Sequence, residues 1–245
     1  MIRAITFDFW RTLFRDANSD LRRELRLRAF TEATGVPVED AVQAMDHCFR
    51  EFDRCHREEQ RTLDPEDAIR LLSEALQITI PAQTASALAE TFATAILQHP
   101  PEPIEGALDA VRAAASLRPV GIISDSGVSP GRSLQALLQR HGFLEHIRIA
   151  VFSDVQRIAK PQRGMFEAAA KGLGVDPHDL LHIGDLEYTD ILGAKAVGAQ
   201  AALFTGDNAR YAGNTKADYT FPTWHDFIKR LPDLCKTQIT PSDAD

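Results

Sequence analysis

The 245-residue chain is poor in several features that would otherwise settle its class. It has three cysteines, Cys48, Cys55 and Cys235, none in a Cys-x-x-Cys pair. An odd number cannot close a disulfide framework, so a reducing, cytoplasmic setting is expected. No window approaches the ~20 apolar residues that a membrane-spanning helix needs. Asp8 and Arg11 interrupt the one apolar stretch near the N-terminus, so no signal peptide is expected. Excess positive charge is missing as well. The formal charge of −8 and a pI near 5.5 argue against nucleic-acid and anionic-membrane partners, which would repel the protein. No lysine precedes Lys160, so chemistry that needs a primary amine must draw on the second half of the chain.

What is present organises around ITFDFWRTLF, residues 5 to 14. Ile5, Thr6 and Phe7 read as the end of a buried strand, and Asp8 breaks the run. A carboxylate there costs several kcal/mol unless a cation or hydrogen bonds compensate it. Position 8 is therefore either a turn cap or a functional group.

With 44% hydrophobic residues the chain can bury a full core, as one large domain or as a core with an inserted module. After Phe14 the pattern is helical for some ninety residues. Helices are expected over 20–34, 38–58, 64–76 and 81–97, the third opened by Asp64-Pro65 as N-cap and first helical residue. Three prolines within residues 100–103 end this stretch. Beyond them helices (105–116, 132–141, 163–173, 190–197) alternate with apolar strands (120–124, 147–152, 180–183, 201–204). That rhythm predicts an α/β fold with a parallel sheet covered on both faces. The expected division is a discontinuous core, 1–16 and 103–245, and an all-helical module, 17–102. The polar last ten residues, KTQITPSDAD, read as a frayed tail. Ligands of such a sheet gather beyond the carboxyl ends of its strands, so Asp8, Ser124 and Asp185 should converge in one crevice.

These residues, in this order, resemble the four motifs of the haloacid dehalogenase superfamily. FDFWRTL resembles the first motif, with Asp8 as nucleophile and Thr12 four residues on. Ser124, ending VGIIS, resembles the second, Lys160 the third, and HIGDLEYTDILGAKAVG, with Asp185 and Asp190, the fourth. The helical segment sits where that family inserts its cap, and the resemblance implies a Rossmann-like three-layer core. It also implies a Mg²⁺-dependent hydrolase, most plainly a phosphatase of small phosphorylated metabolites. Asp8 would form an aspartyl-phosphate, and Asp8, Asp185, Asp190 and the backbone carbonyl of Trp10 would hold the ion. Ser124, Asp125, Ser126 and Lys160 would surround the phosphate, although the charge of Asp125 fits poorly beside it. Oligomeric state is left open between monomer and homodimer.

One departure matters. The family's phosphatases place a second Asp two residues after the nucleophile to handle the proton of the leaving group, and here that residue is Trp10. Arg11 also stands at a usual Gly position. His47, Glu51, His56 and Glu58 of the helical module are candidate replacements. A C–halogen hydrolase, familiar with an aromatic residue at that place, and a weakly active binding protein are the alternatives. A phosphonate hydrolase is excluded because it requires a lysine from the cap. A zinc site built from His47-Cys48 and Cys55-His56 is disfavoured by spacing. Arg22, Arg23, Arg26 and Arg28, interleaved with Glu, are expected to form a solvated helix face rather than an entrance for an anionic substrate.

Overall fold

The structure, a computed structural model, describes residues 1–236; residues 237–245, most of the expected tail, lie outside the described residues. The chain opens on β1 (Ala4–Phe7) and β2 (Phe14–Arg15). It then passes through four helices, α1 (Ser19–Thr34), α2 (Val38–Arg54), α3 (Pro65–Leu76) and α4 (Ala82–Gln98). After β3 (Glu102–Pro103), helices and strands alternate: α5 (Ala107–Leu117), β4 (Val120–Ser124), α6 (Gly131–Arg140), β5 (Ile149–Phe152), α7 (Ser153–Gln156) and α8 (Arg163–Leu173). The last elements are β6 (Leu180–Gly184), α9 (Leu192–Ala196), β7 (Gln200–Phe204), β8 (Tyr219–Phe221) and α10 (Trp224–Cys235).

Six strands form one sheet in the order β5-β4-β1-β6-β7-β8, every neighbouring pair parallel. Side chains alternate across it, as the period of two requires. Ile5, Phe7, Ile122 and Phe204 face a layer made by α5, α6 and α10, whereas Ala4, Ile123 and Leu203 face α8 and α9. The result is the expected three-layer α/β arrangement. Five elements escaped the sequence reading: the two-residue β2 and β3, the four-residue α7, β8 and α10. Strand β8 is only three residues long, and α10 carries Pro232 in its last turn, although Trp224, Phe227 and Leu231 bury a continuous face.

Helices α1 to α4 pack around an apolar cluster of their own that includes Phe30, Met45, Leu72 and Phe92. Asp64 caps α3 in a reciprocal box with Asp67, as its position before Pro65 suggests. Helix α2 ends in a π-turn, Cys55–Glu59, closed by Gln60 with φ +50°. The two chain crossings between this module and the sheet are tied to each other. Phe14 and Arg15 pair with Pro103 and Glu102 in an antiparallel ribbon, and Ile104 N–H donates to Leu13 O at 2.9 Å.

Candidate active site

β1 lies between β4 and β6, so the residues that follow all three strands meet at one edge of the sheet. Asp8 is 5% exposed, and its amide donates to Ile183 O at 2.8 Å, which holds it in register with β6. Beyond β6, Asp185 is followed by a second π-turn, Glu187–Ile191, that returns Asp190 to the strand end. This return needs Gly184, because a Cβ there would lie 2.2 Å from Asp190 Cγ. From the far side Lys160, 2% exposed, donates from Nζ to Asp8 Oδ1 and to Asp190 Oδ1, each at 2.6 Å.

Oxygens of Asp8, Asp185 and Asp190 lie within 4.8 Å of one another. Three buried carboxylates against one ammonium leave excess negative charge, and the ionisation equilibria respond to it. Burial, with repulsion from Asp190 and Asp185, holds the Asp8 carboxyl well above its usual range against the pull of Lys160. Burial and Asp190 push Asp185 up to about 6. Asp190 moves the other way: Lys160 and His182 outweigh its burial and keep it ionised. Burial opposes the Lys160 charge, but Asp190 and Asp8 raise its pKa nonetheless. A divalent cation with oxygen ligands would relieve this imbalance, so the donor set fits Mg²⁺. Asp190 already accepts hydrogen bonds on both oxygens, from Lys160 on Oδ1 and from Leu186 N–H on Oδ2 at 3.0 Å.

The other expected residues gather around this cluster with differing freedom. Ser124 is buried, its Oγ donating to Asp125 O at 3.1 Å. Asp125 accepts the Lys160 amide at 2.9 Å and lies 3.6 Å from His56 Nε2, so it serves both the sheet edge and the helical module. Ser126 lines the cleft, yet its amide donates to Ser153 Oγ and its hydroxyl to Asp154. Thr12 Oγ1 is buried and has no hydrogen-bond partner among the described residues. Arg11 adopts φ +56°, a conformation that favours glycine, and its guanidinium is held by Asp207. Among the four proton-transfer candidates only His56 lines the same cleft as Trp10; His47 borders another depression, and Glu51 is engaged by Arg54.

That cleft, about 540 Å³, lies between the sheet edge and the helical module. It overturns the expectation for α1: Arg22 and Arg26 are only 4% and 5% exposed. Arg22 donates to Ala17 O and to His99 O, pairs with Asp16, and thereby clamps both chain crossings. Arg26 donates to Phe92 O and Ser129 Oγ. The burial follows from acceptors contributed by distant segments. Two residues next to the carboxylates were not anticipated either. Asn208 donates to Asp185 Oδ2 at 2.7 Å, and His182 bridges Thr6 and Asp190. Asn208 lies in the loop four residues beyond β7, past the position that the strand-end rule singles out.

A family model described as haloacid dehalogenase-like hydrolase matches residues 2–198, which include all four motif positions. The chain belongs to this family of hydrolases. Among relatives of this haloacid dehalogenase-like hydrolase, glyceraldehyde 3-phosphate phosphatase of Pyrococcus furiosus is 31% identical over 126 residues, 51% of this chain and 49% of that protein. The rhythmically expressed gene 2 protein of Drosophila melanogaster is 31% identical over 108 residues, 41% of this chain and 42% of that one. The chain thus spans about half the length of the curated relatives it matches. In three dimensions the hydrolase is similar to 2-haloacid dehalogenase from Pseudomonas syringae, with TM-score 0.68, 20% identity, and 96% and 98% of the two chains covered. It is also similar to a phosphatase of the same family from Thermococcus onnurineus, with TM-score 0.65, 17% identity, and 94% and 98% covered. At those identities the likeness speaks for the fold alone. No described helix is long and apolar enough to cross a membrane.

Proposed function

We propose that this hydrolase is a Mg²⁺-dependent phosphatase of small phosphorylated metabolites, with Asp8 as nucleophile. The observation that carries the reading is Lys160 Nζ at 2.6 Å from both Asp8 and Asp190, beside Asp185. Lys160 occupies Asp8 Oδ1, whereas Oδ2 makes no hydrogen bond among the described residues and is the oxygen available to attack phosphorus. The Asp8 Oδ2–P bond forms as the bond from phosphorus to the leaving oxygen breaks; water then attacks phosphorus and releases Asp8 and phosphate. Asp8, Asp185 and the Trp10 carbonyl would hold Mg²⁺, with Asp190 orienting Lys160. Bound there, Mg²⁺ supplies positive charge against phosphate and carboxylates together. Lys160 adds a fixed positive charge beside the nucleophile.

Trp10 cannot exchange a proton near neutral pH, so the leaving oxygen takes its proton from His56, which shares the cleft wall with it and lies near Asp125. Residues 17–102 act as a cap over a core formed by 1–16 and 103–245, and the cleft between them selects the substrate. The aromatic residue at position 10 favours one competing reading, C–halogen hydrolysis through an ester on Asp8. One assay separates the two. Phosphate release from aryl phosphates that requires Mg²⁺ and falls about 1,000-fold or more in Asp8→Asn supports the phosphatase. Halide release from 2-haloacids without metal overturns it.

A further inference from the structure

Arginines line the cleft, and all but one are answered by a carboxylate of the protein. Arg22 has Asp16, Arg23 has Asp46 at 2.7 Å, and Arg61 has Glu59 at 2.9 Å. Arg26 has none within 4.0 Å among the described residues. Its Nε and Nη2 are fixed by Phe92 O at 3.1 and 3.0 Å, Nη2 also donates to Ser129 Oγ at 3.1 Å, and Nη1 makes no hydrogen bond among the described residues. Burial, reinforced by neighbouring Arg22, lowers its pKa to about 10, which still leaves it charged at neutral pH. An arginine this buried usually has a counter-ion, and the cleft that it lines is where one could enter.

The remaining acids of the wall do not supply that counter-ion. Asp53 pairs with Arg57, Asp125 accepts the Lys160 amide, and Asp20 stands on the exposed rim. Arg26 is thus the one arginine of the wall without a carboxylate within 4.0 Å among the described residues, and a single guanidinium matches a monoanion better than a second phosphate. Ser129, which Arg26 reaches, is five residues beyond Ser124 at the end of β4, so the two Cα atoms are at most about 18 Å apart. A ligand that meets both is a small molecule.

We propose that Arg26 binds a carboxylate of the substrate, and that the enzyme acts on phosphate monoesters of short carboxylic acids. This inference rests on the phosphatase reading for its phosphate but not for its carboxylate. Arg26 is a specificity residue here, whereas a strut between helix α1 and the loop holding Ser129 would serve packing alone.

The test compares two- to four-carbon phosphate esters ending in a carboxylate with their carboxamide analogues, by kcat/KM with Mg²⁺. A guanidinium–carboxylate pair predicts at least about a tenfold preference for the acid. Arg26→Gln should erase that ratio and Arg26→Lys restore part of it. A ratio near one in the unmodified protein overturns the inference without any variant, as does an Arg26→Gln variant that slows both substrates equally. If no phosphate ester is turned over, calorimetric titration with phosphonocarboxylates against alkylphosphonates of equal length decides. Carboxylate-selective binding that is lost in Arg26→Gln upholds the inference while the phosphatase reading fails; equal binding overturns it.

Discussion

Two buried cations, Lys160 among the strand-end carboxylates and Arg26 in the cleft wall, are held in opposite ways. Lys160 lies between two carboxylates at 2.6 Å and its pKa rises. Arg26 has a carbonyl and a hydroxyl but no carboxylate among the described residues, and its pKa falls to about 10. On the proposed reading, Lys160 with its counter-ions built in serves every turnover, whereas the counter-ion of Arg26 arrives with the substrate.

The largest break in that contrast should come from removing each cation in turn. Lys160→Met leaves Asp8 and Asp190 buried without their partner and should cost about 3–5 kcal/mol in chemical denaturation. Arg26→Met strands no carboxylate and should cost about 1 kcal/mol. Equal losses would mean that the two sites do not differ as described. Mg²⁺ sharpens the comparison on the Lys160 side: at 100 times its Kd it should add about 2.7 kcal/mol to stability, an increment that Asp185→Asn removes.

Without metal, pH should act on the same side. The folded Asp185 pKa, about 6, lies above the ordinary 3.8. Its contribution to stability is complete below the ordinary value and is lost as pH rises through about 6. Melting temperatures in EDTA should fall across that window, and Mg²⁺ should flatten the profile. The smallest effect concerns the proton. His56→Gln should slow alkyl phosphates at least about tenfold more than aryl phosphates, whose better leaving group needs less proton help, and Trp10→Asp in that background should recover part of the difference. An unchanged alkyl-to-aryl ratio would remove His56 from the reaction.

The carboxylate side of this contrast was legible in the sequence. Asp8, Ser124 and Asp185 each end an apolar run, and a buried parallel strand announces where it stops. The arginine side was not. In α1 the alternation of Arg with Glu looks like a water-facing surface, and nothing local distinguishes Arg22 and Arg26 from half-buried Arg23 and exposed Arg28. Asn208 was missed for a related reason, since a loop asparagine has many ordinary uses and its partner Asp185 is 23 residues away.

By itself the sequence determined the α/β alternation, the helical interruption after β2, and the polar residues that terminate the central strands, because all three follow from periodicity and from the cost of an unpaired carboxylate in an apolar run. Tertiary structure alone decided which charges are answered and which are not. Hydrogen-bond acceptors for Arg22 and Arg26 come from segments up to 77 and 103 residues away, His99 O and Ser129 Oγ. A counter-ion's presence depends on distance in space, which no local pattern encodes.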